Sequence, residues 1–234
     1  MKALIIINIQ RDFLPGGKLP VSGGEDIGAI VNRLQPAFSL IVATQNWYPP
    51  QHQRFASNHP GKQPYDVIYL NGRPQTLWPD HCIQGSHGAA ISNLLNDTEI
   101  AAIFRTGMHQ ETDSNSAFYD SERRYPTGLA GFLQERKVHE IYLAGLAGDY
   151  DIYYTAMDGL RLNFKTYIIQ DASAPFDRSN FAAEMRVFET AGGQLITSSQ
   201  LLNKRNASGS SNTGSNAALH RSSSSARRSN IDLL

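Results

Sequence analysis

Lys2-Ala3-Leu4-Ile5-Ile6-Ile7-Asn8-Ile9 is an apolar run of strand length, broken near its end by a single amide. Apolar residues at consecutive positions put hydrocarbon on both faces of a strand, which is the habit of a parallel sheet covered on both sides. The run is far too short to cross a bilayer, and no small-residue cleavage site follows it, so it is predicted as a buried strand. Similar runs recur at Leu40 to Thr44, Ile100 to Phe104, Glu140 to Ala144, Thr166 to Gln170 and Gln194 to Thr197, giving six predicted strands.

Helical periods fill the gaps between them. Ile27, Ile30, Val31 and Leu34 form the stripe of an amphipathic helix over Glu25 to Leu34, stopped by Pro36. Thr127 is placed to cap a helix over Gly128 to Arg136, a longer apolar helix is predicted over Asp149 to Leu162, and Asn180 to Thr190 ends before Gly192-Gly193. This alternation predicts a three-layer α/β/α fold around a six-stranded, mostly parallel, doubly wound sheet.

A chain of 234 residues can bury one such core and leave a tail over. Its 21 basic and 21 acidic residues cancel, which argues against nucleic acid or an anionic membrane and leaves small neutral ligands or proteins as partners. The single cysteine, Cys82, excludes an internal disulfide framework and fits a reducing compartment, so cytoplasm is the expected location. Two segments stand outside the alternation. Asn46 to Gly88, rich in Pro, His, Asn and Gly, has the length of a functional loop. The Ser, Asn and Arg of 204–234 cannot bury enough surface to offset their ordering entropy, so the domain is expected over 1–203 and a disordered tail after it.

Several blocks carry a resemblance. Ile7-Asn8-Ile9-Gln10-Arg11-Asp12-Phe13, Thr44-Gln45-Asn46-Trp47-Tyr48-Pro49, His52 with Phe55-Ala56-Ser57, Pro74 to Cys82, Asp113 to Phe118, and Gly145-Leu146-Ala147-Gly148-Asp149-Tyr150-Asp151 follow one another in the order found in nicotinamidases and pyrazinamidases. By these blocks the chain resembles that group, within the isochorismatase-like hydrolases, over Met1 to Ser198. The resemblance implies amide hydrolysis through a thioester, in which a cysteine attacks, an aspartate moves its proton and a lysine supports both. At those three places this chain has Asp151, Asn8 and Thr106. Asparagine cannot accept and release a proton near neutral pH, threonine brings no charge, and a carboxylate stands where sulfur should.

A divalent metal is also implied, held by an aspartate and histidines of the 46–81 loop. Here Asn46 and Tyr48 replace two of the ligands while His52 and His81 remain, so the resemblance implies at most a weak zinc or iron site. Phe13 and Trp78 match the aromatic residues that sandwich a pyridine ring, and the Leu146-Ala147 bond matches a cis peptide lining the pocket.

The expectation from these substitutions is a nicotinamidase-like pseudoenzyme, unable to convert nicotinamide to nicotinate, binding a pyridine-like ligand or a protein. A hydrolase of altered chemistry using Asp151 is one alternative. The other is a translocated bacterial effector, because the tail's composition and its Ile231-Asp232-Leu233-Leu234 end resemble such export signals. A homo-oligomer is left open.

Overall fold

The computed structural model describes residues 1–70 and 72–203. The predicted tail, 204–234, lies outside the described residues. Eight strands are assigned in chain order among the described residues: β1 Lys2–Ile7, β2 Leu40–Asn46, β3 Val67–Leu70, β4 Arg73–Thr76, β5 Ala102–Thr106, β6 Glu140–Leu146, β7 Lys165–Ala174 and β8 Gln194–Ile196. Among the described residues the helices that flank the sheet include α1 Gly24–Leu34, α2 Leu129–Glu135, α3 Tyr153–Arg161 and α4 Arg178–Thr190, and residues 198–203 are also helical. A π-helical turn, Gly148–Ile152, leads into α3.

Six strands form one sheet in the order β5-β2-β1-β6-β7-β8, every neighbouring pair parallel. The order reverses direction from β1, which is the doubly wound topology expected. Side chains of β1 alternate between the two faces, as its double apolar character requires. Leu4 and Ile6 pack with Ile27, Val31 and Leu34 of α1, whereas Ala3, Ile5 and Ile7 pack with Leu129 and Leu133 of α2, Ala156 of α3, and Met185 and Phe188 of α4.

Local differences from the sequence reading have local causes. The helix expected from Gly128 starts at Leu129 with Gly128 as its N-cap. Thr127 Oγ1 still accepts from the Leu129 N–H at 3.2 Å, while its own hydroxyl donates to the Ala117 carbonyl at 2.6 Å. The β3–β4 hairpin was not anticipated. Its residues Val67 and Tyr69 face solvent, so it has no buried stripe to betray it.

Two backbone details shape the sheet's central rim. Asn8, just past β1, has φ 46°, a left-handed conformation that asparagine tolerates better than most residues. Gly145 in β6 sits opposite Ile7 with φ 132°, and a Cβ there would lie 2.0 Å from the Ile7 carbonyl oxygen. Only glycine lets β1 and β6 approach so closely at the point where the chain turns out of the sheet.

Candidate active site

In a parallel sheet all carboxyl ends share one rim, where ligands of such folds bind. Asn8 follows β1, Asn46 ends β2, Thr106 ends β5, and Asp151 lies in the π turn after β6, so four adjacent strands bring these residues to one place. The Asn8 Nδ2 donates to Asp151 Oδ1 at 2.7 Å, and the Thr44 hydroxyl donates to Asn8 Oδ1 at 2.7 Å. The carboxamide of Asn8 is thereby held in one orientation, its N–H₂ end on the carboxylate. Thr106 does not join this pair. Its hydroxyl donates instead to Asn46 Oδ1 at 2.7 Å, and Gln10 pins the Asn46 backbone from both sides.

Burial raises the Asp151 carboxyl from 3.8 to about 6, against the lowering pull of Arg54 and of the hydrogen bond from Asn8. At neutral pH it is mainly ionised and still basic enough to take a proton. Cys82 does not offer a thiolate to this rim. It is fully buried, its backbone N–H is held by Asp12 Oδ2 at 2.7 Å, and burial pushes its pKa well up, so the sulfur stays protonated.

Arg54, which nothing in the sequence singles out, is a buried cation beside this rim. It is 5% exposed, and its Nη1 lies 2.9 Å from Asp113 Oδ1 and donates to the Tyr48 hydroxyl. Its backbone carbonyl accepts from the Trp78 N–H at 2.7 Å, which fixes the loop carrying it against the Trp78 segment. Burial alone would lower its pKa, but Asp113 and Tyr48 raise it, and the guanidinium remains charged. Burial and then Arg54 lower His52 to about 4 and His81 to about 3, so both imidazoles are neutral. The signal for Arg54 was its place between His52 and Phe55. Its partner Asp113 is too remote in sequence for the pair to be read.

Phe13 and Trp78 are both buried, and Phe176 touches both, at centroid distances of 6.5 and 5.8 Å. Tyr150 packs edge-on to Trp78 at 5.2 Å. The backbone N–H groups of Phe176 and Asp177 are both held by the Asp149 carboxylate at 2.8 Å. The Leu146–Ala147 bond is cis, and both residues are fully buried. A cavity of about 820 Å³ is lined by Leu19, Tyr65, Trp78, Tyr150 and Phe176, and one of about 250 Å³ by Arg54, Asp113, Trp78 and Tyr150. Neither is lined by Asn8 or Asp151, but Tyr150, common to both, immediately precedes Asp151.

Fold and rim together define a doubly wound α/β protein with a buried polar cluster, Asn8 on Asp151, at the carboxyl ends of its central strands. The chain matches the Isochorismatase domain family over residues 2–200, and it belongs to that family, among its nicotinamidase-like members. It is 40% identical to the nicotinamidase of Acinetobacter baylyi over 201 residues, covering 86% of this chain and 94% of that one. It is 38% identical to the Escherichia coli nicotinamidase over 205 residues, covering 84% and 94%. The solved nicotinamidase pyrazinamidase of Acinetobacter baumanii superposes with a TM-score of 0.83 at 38% identity, covering 86% of this chain and 97% of that one. Two further solved relatives carry ligands. PnC1 from L. infantum is in complex with nicotinate, with TM-score 0.76, 34% identity and coverage of 86% and 94%. The Pyrococcus horikoshii pyrazinamidase is in complex with zinc, with TM-score 0.70, 28% identity and coverage of 84% and 98%.

These relatives correct the expectation of a pseudoenzyme. Proteins 38–40% identical over most of the chain are named nicotinamidase, which supports an active C–N hydrolase. The effector alternative rested on a tail outside the described residues. No helix among the described residues is long and apolar enough to cross a membrane.

The residues at the implied metal position do not fit an ion. Among the described residues no three His, Cys, Asp or Glu side chains converge to hold one. Asn46 Oδ1 is engaged by Thr106 and the Tyr48 hydroxyl by Arg54. His52 accepts the Arg54 backbone N–H on Nδ1 at 3.1 Å and places Nε2 3.1 Å from the Thr112 carbonyl. His81 turns Nδ1 to the Pro79 carbonyl at 2.7 Å.

Proposed function

We propose that the chain hydrolyses the carboxamide of a small flat heteroaromatic ring, with nicotinamide as the reference substrate and Asp151 as the base. Asn8, Thr106 and Asp151 then stand where the family resemblance puts aspartate, lysine and cysteine, and the step changes from thiolate attack to attack by water. The observation that carries this is the buried Asp151 carboxylate, raised to about 6 and aimed by Asn8 at 2.7 Å. A base in that range suits proton removal at neutral pH.

The carboxylate takes a proton from water as the water oxygen bonds to the amide carbon. The tetrahedral adduct collapses, the C–N bond breaks, and the nitrogen leaves as ammonia with the proton that Asp151 returns. Phe13, Trp78 and Phe176 supply the apolar wall for the ring. A flat ring entering between Phe13 and Trp78 has to displace Phe176, which now touches both. A reducing, cytoplasmic setting belongs to the same reading, supported by the lone, unpaired Cys82.

The test is ammonia release by the purified full chain from nicotinamide and pyrazinamide. Turnover that falls about 10²- to 10⁴-fold in Asp151→Asn, with the fold intact, is the expected result. Absence of release above the buffer rate from either amide refutes the proposal, as does an Asp151→Asn enzyme of undiminished rate.

A further inference from the structure

We propose that the Arg54 guanidinium serves as the fixed cation of this site in place of a divalent metal, so that the protein neither binds nor needs one. Of the four side chains at the implied metal position, Asn46, Tyr48 and His52 have their coordinating atoms committed to protein partners, and His81 keeps only Nε2.

The charge is already present. Arg54 lies over the Tyr48 ring, 4.6 Å from its centroid, and 5.7 Å from that of Trp78, with both Tyr48 and His81 packed in the same aromatic cluster. A dication brought to these residues would meet a permanent positive charge in a medium of low polarisability, where like charges repel far more strongly than in water. Asp113, the carboxylate paired to Arg54 among the described residues, is itself bridged by Gln75 Nε2 at 3.0 Å and the Ser114 N–H at 2.8 Å. It is occupied as a counter-ion to the guanidinium and is not spare for a metal.

The guanidinium also has capacity left. Its Nε–H is buried with no hydrogen-bond partner among the described residues. A buried donor without a partner is unfavourable until something accepts from it. A carbonyl or carboxylate oxygen on a ring held beside Trp78 meets that need, which gives Arg54 the orienting and charge-balancing part that a metal would play. This part of the proposal rests on the hydrolase reading; the exclusion of metal does not.

The experiment is a zinc titration of the full chain by competition with a chromogenic chelator, with metal analysis of the protein as purified. The wild type is expected to carry less than about 0.1 zinc per chain and to take up none in the titration. The triple variant Asn46→Asp, Tyr48→His, Arg54→Ser, which removes the cation and restores donors, is expected to bind at least about 100-fold more tightly. One tightly held zinc per wild-type chain overturns the proposal, and needs no variant to be seen. If the wild type hydrolyses nicotinamide, a chelator must leave the rate unchanged, and loss of the rate with metal removal overturns it too. A protein without turnover refutes the hydrolase reading alone, because the titration still decides whether Arg54 has displaced the metal.

Discussion

Burying the Asp151 carboxylate has a cost in stability. Its carboxyl titrates near 6 in the folded chain against an ordinary 3.8, so between those values the folded state binds more protons than the unfolded one. Stability therefore falls as pH rises through that window, and above it the ionised group costs on the order of 1–3 kcal/mol. Asp151→Asn keeps an oxygen for the bond from Asn8 and removes the charge. Its melting temperature is expected to exceed wild type by about 2–6 °C at pH 8 and to match it at pH 4. For the same reason wild-type kcat/KM should fall as the pH drops below about 6, tenfold per unit once the carboxyl is protonated. A pH–rate profile flat down to pH 4.5 contradicts the assignment of Asp151 as the base.

At the level of elements, the strands were readable because burial on both faces leaves long apolar runs, as Leu4 and Ile6 on one side and Ile5 and Ile7 on the other demonstrate. The β3–β4 hairpin was not, because Val67 and Tyr69 point to solvent. The helix expected from Asp149 begins as α3 only at Tyr153; Asp149 to Ile152 belong to the π turn Gly148–Ile152, which nothing in Asp149-Tyr150-Asp151 announces. The place of Asp151 came from the family blocks, and its contact with Asn8 bridges 143 positions that no periodicity links. Arg54 stayed hidden because its meaning lies in Asp113 and Tyr48, which only the folded loop brings to it. The crossing of β1 and β6 makes a further prediction. Gly145→Ala, with φ 132° and a Cβ 2.0 Å from the Ile7 carbonyl oxygen, should lose about 3 kcal/mol or more in urea unfolding. Gly131→Ala, inside α2 with open space around its Cβ, should instead gain about 0.5–1 kcal/mol. Equal effects at the two glycines would show that the rim does not depend on that close approach.

For the molecule as a whole, the family match ends at residue 200 and the helical residues 198–203 are the last described. A chain ending at Asn203 is expected to keep its melting temperature within about 2 °C and its turnover unchanged. A large loss in either would mean that 204–234 contribute to the domain. The aromatic cluster around Trp78 has a practical consequence of its own. The chain has two tryptophans, and Trp78 sits within 6 Å of Tyr150, Phe176 and the Arg54 guanidinium. On the proposed binding mode, a ring that displaces Phe176 is expected to alter the emission of this indole, so that binding can be followed without any label and separately from bond cleavage.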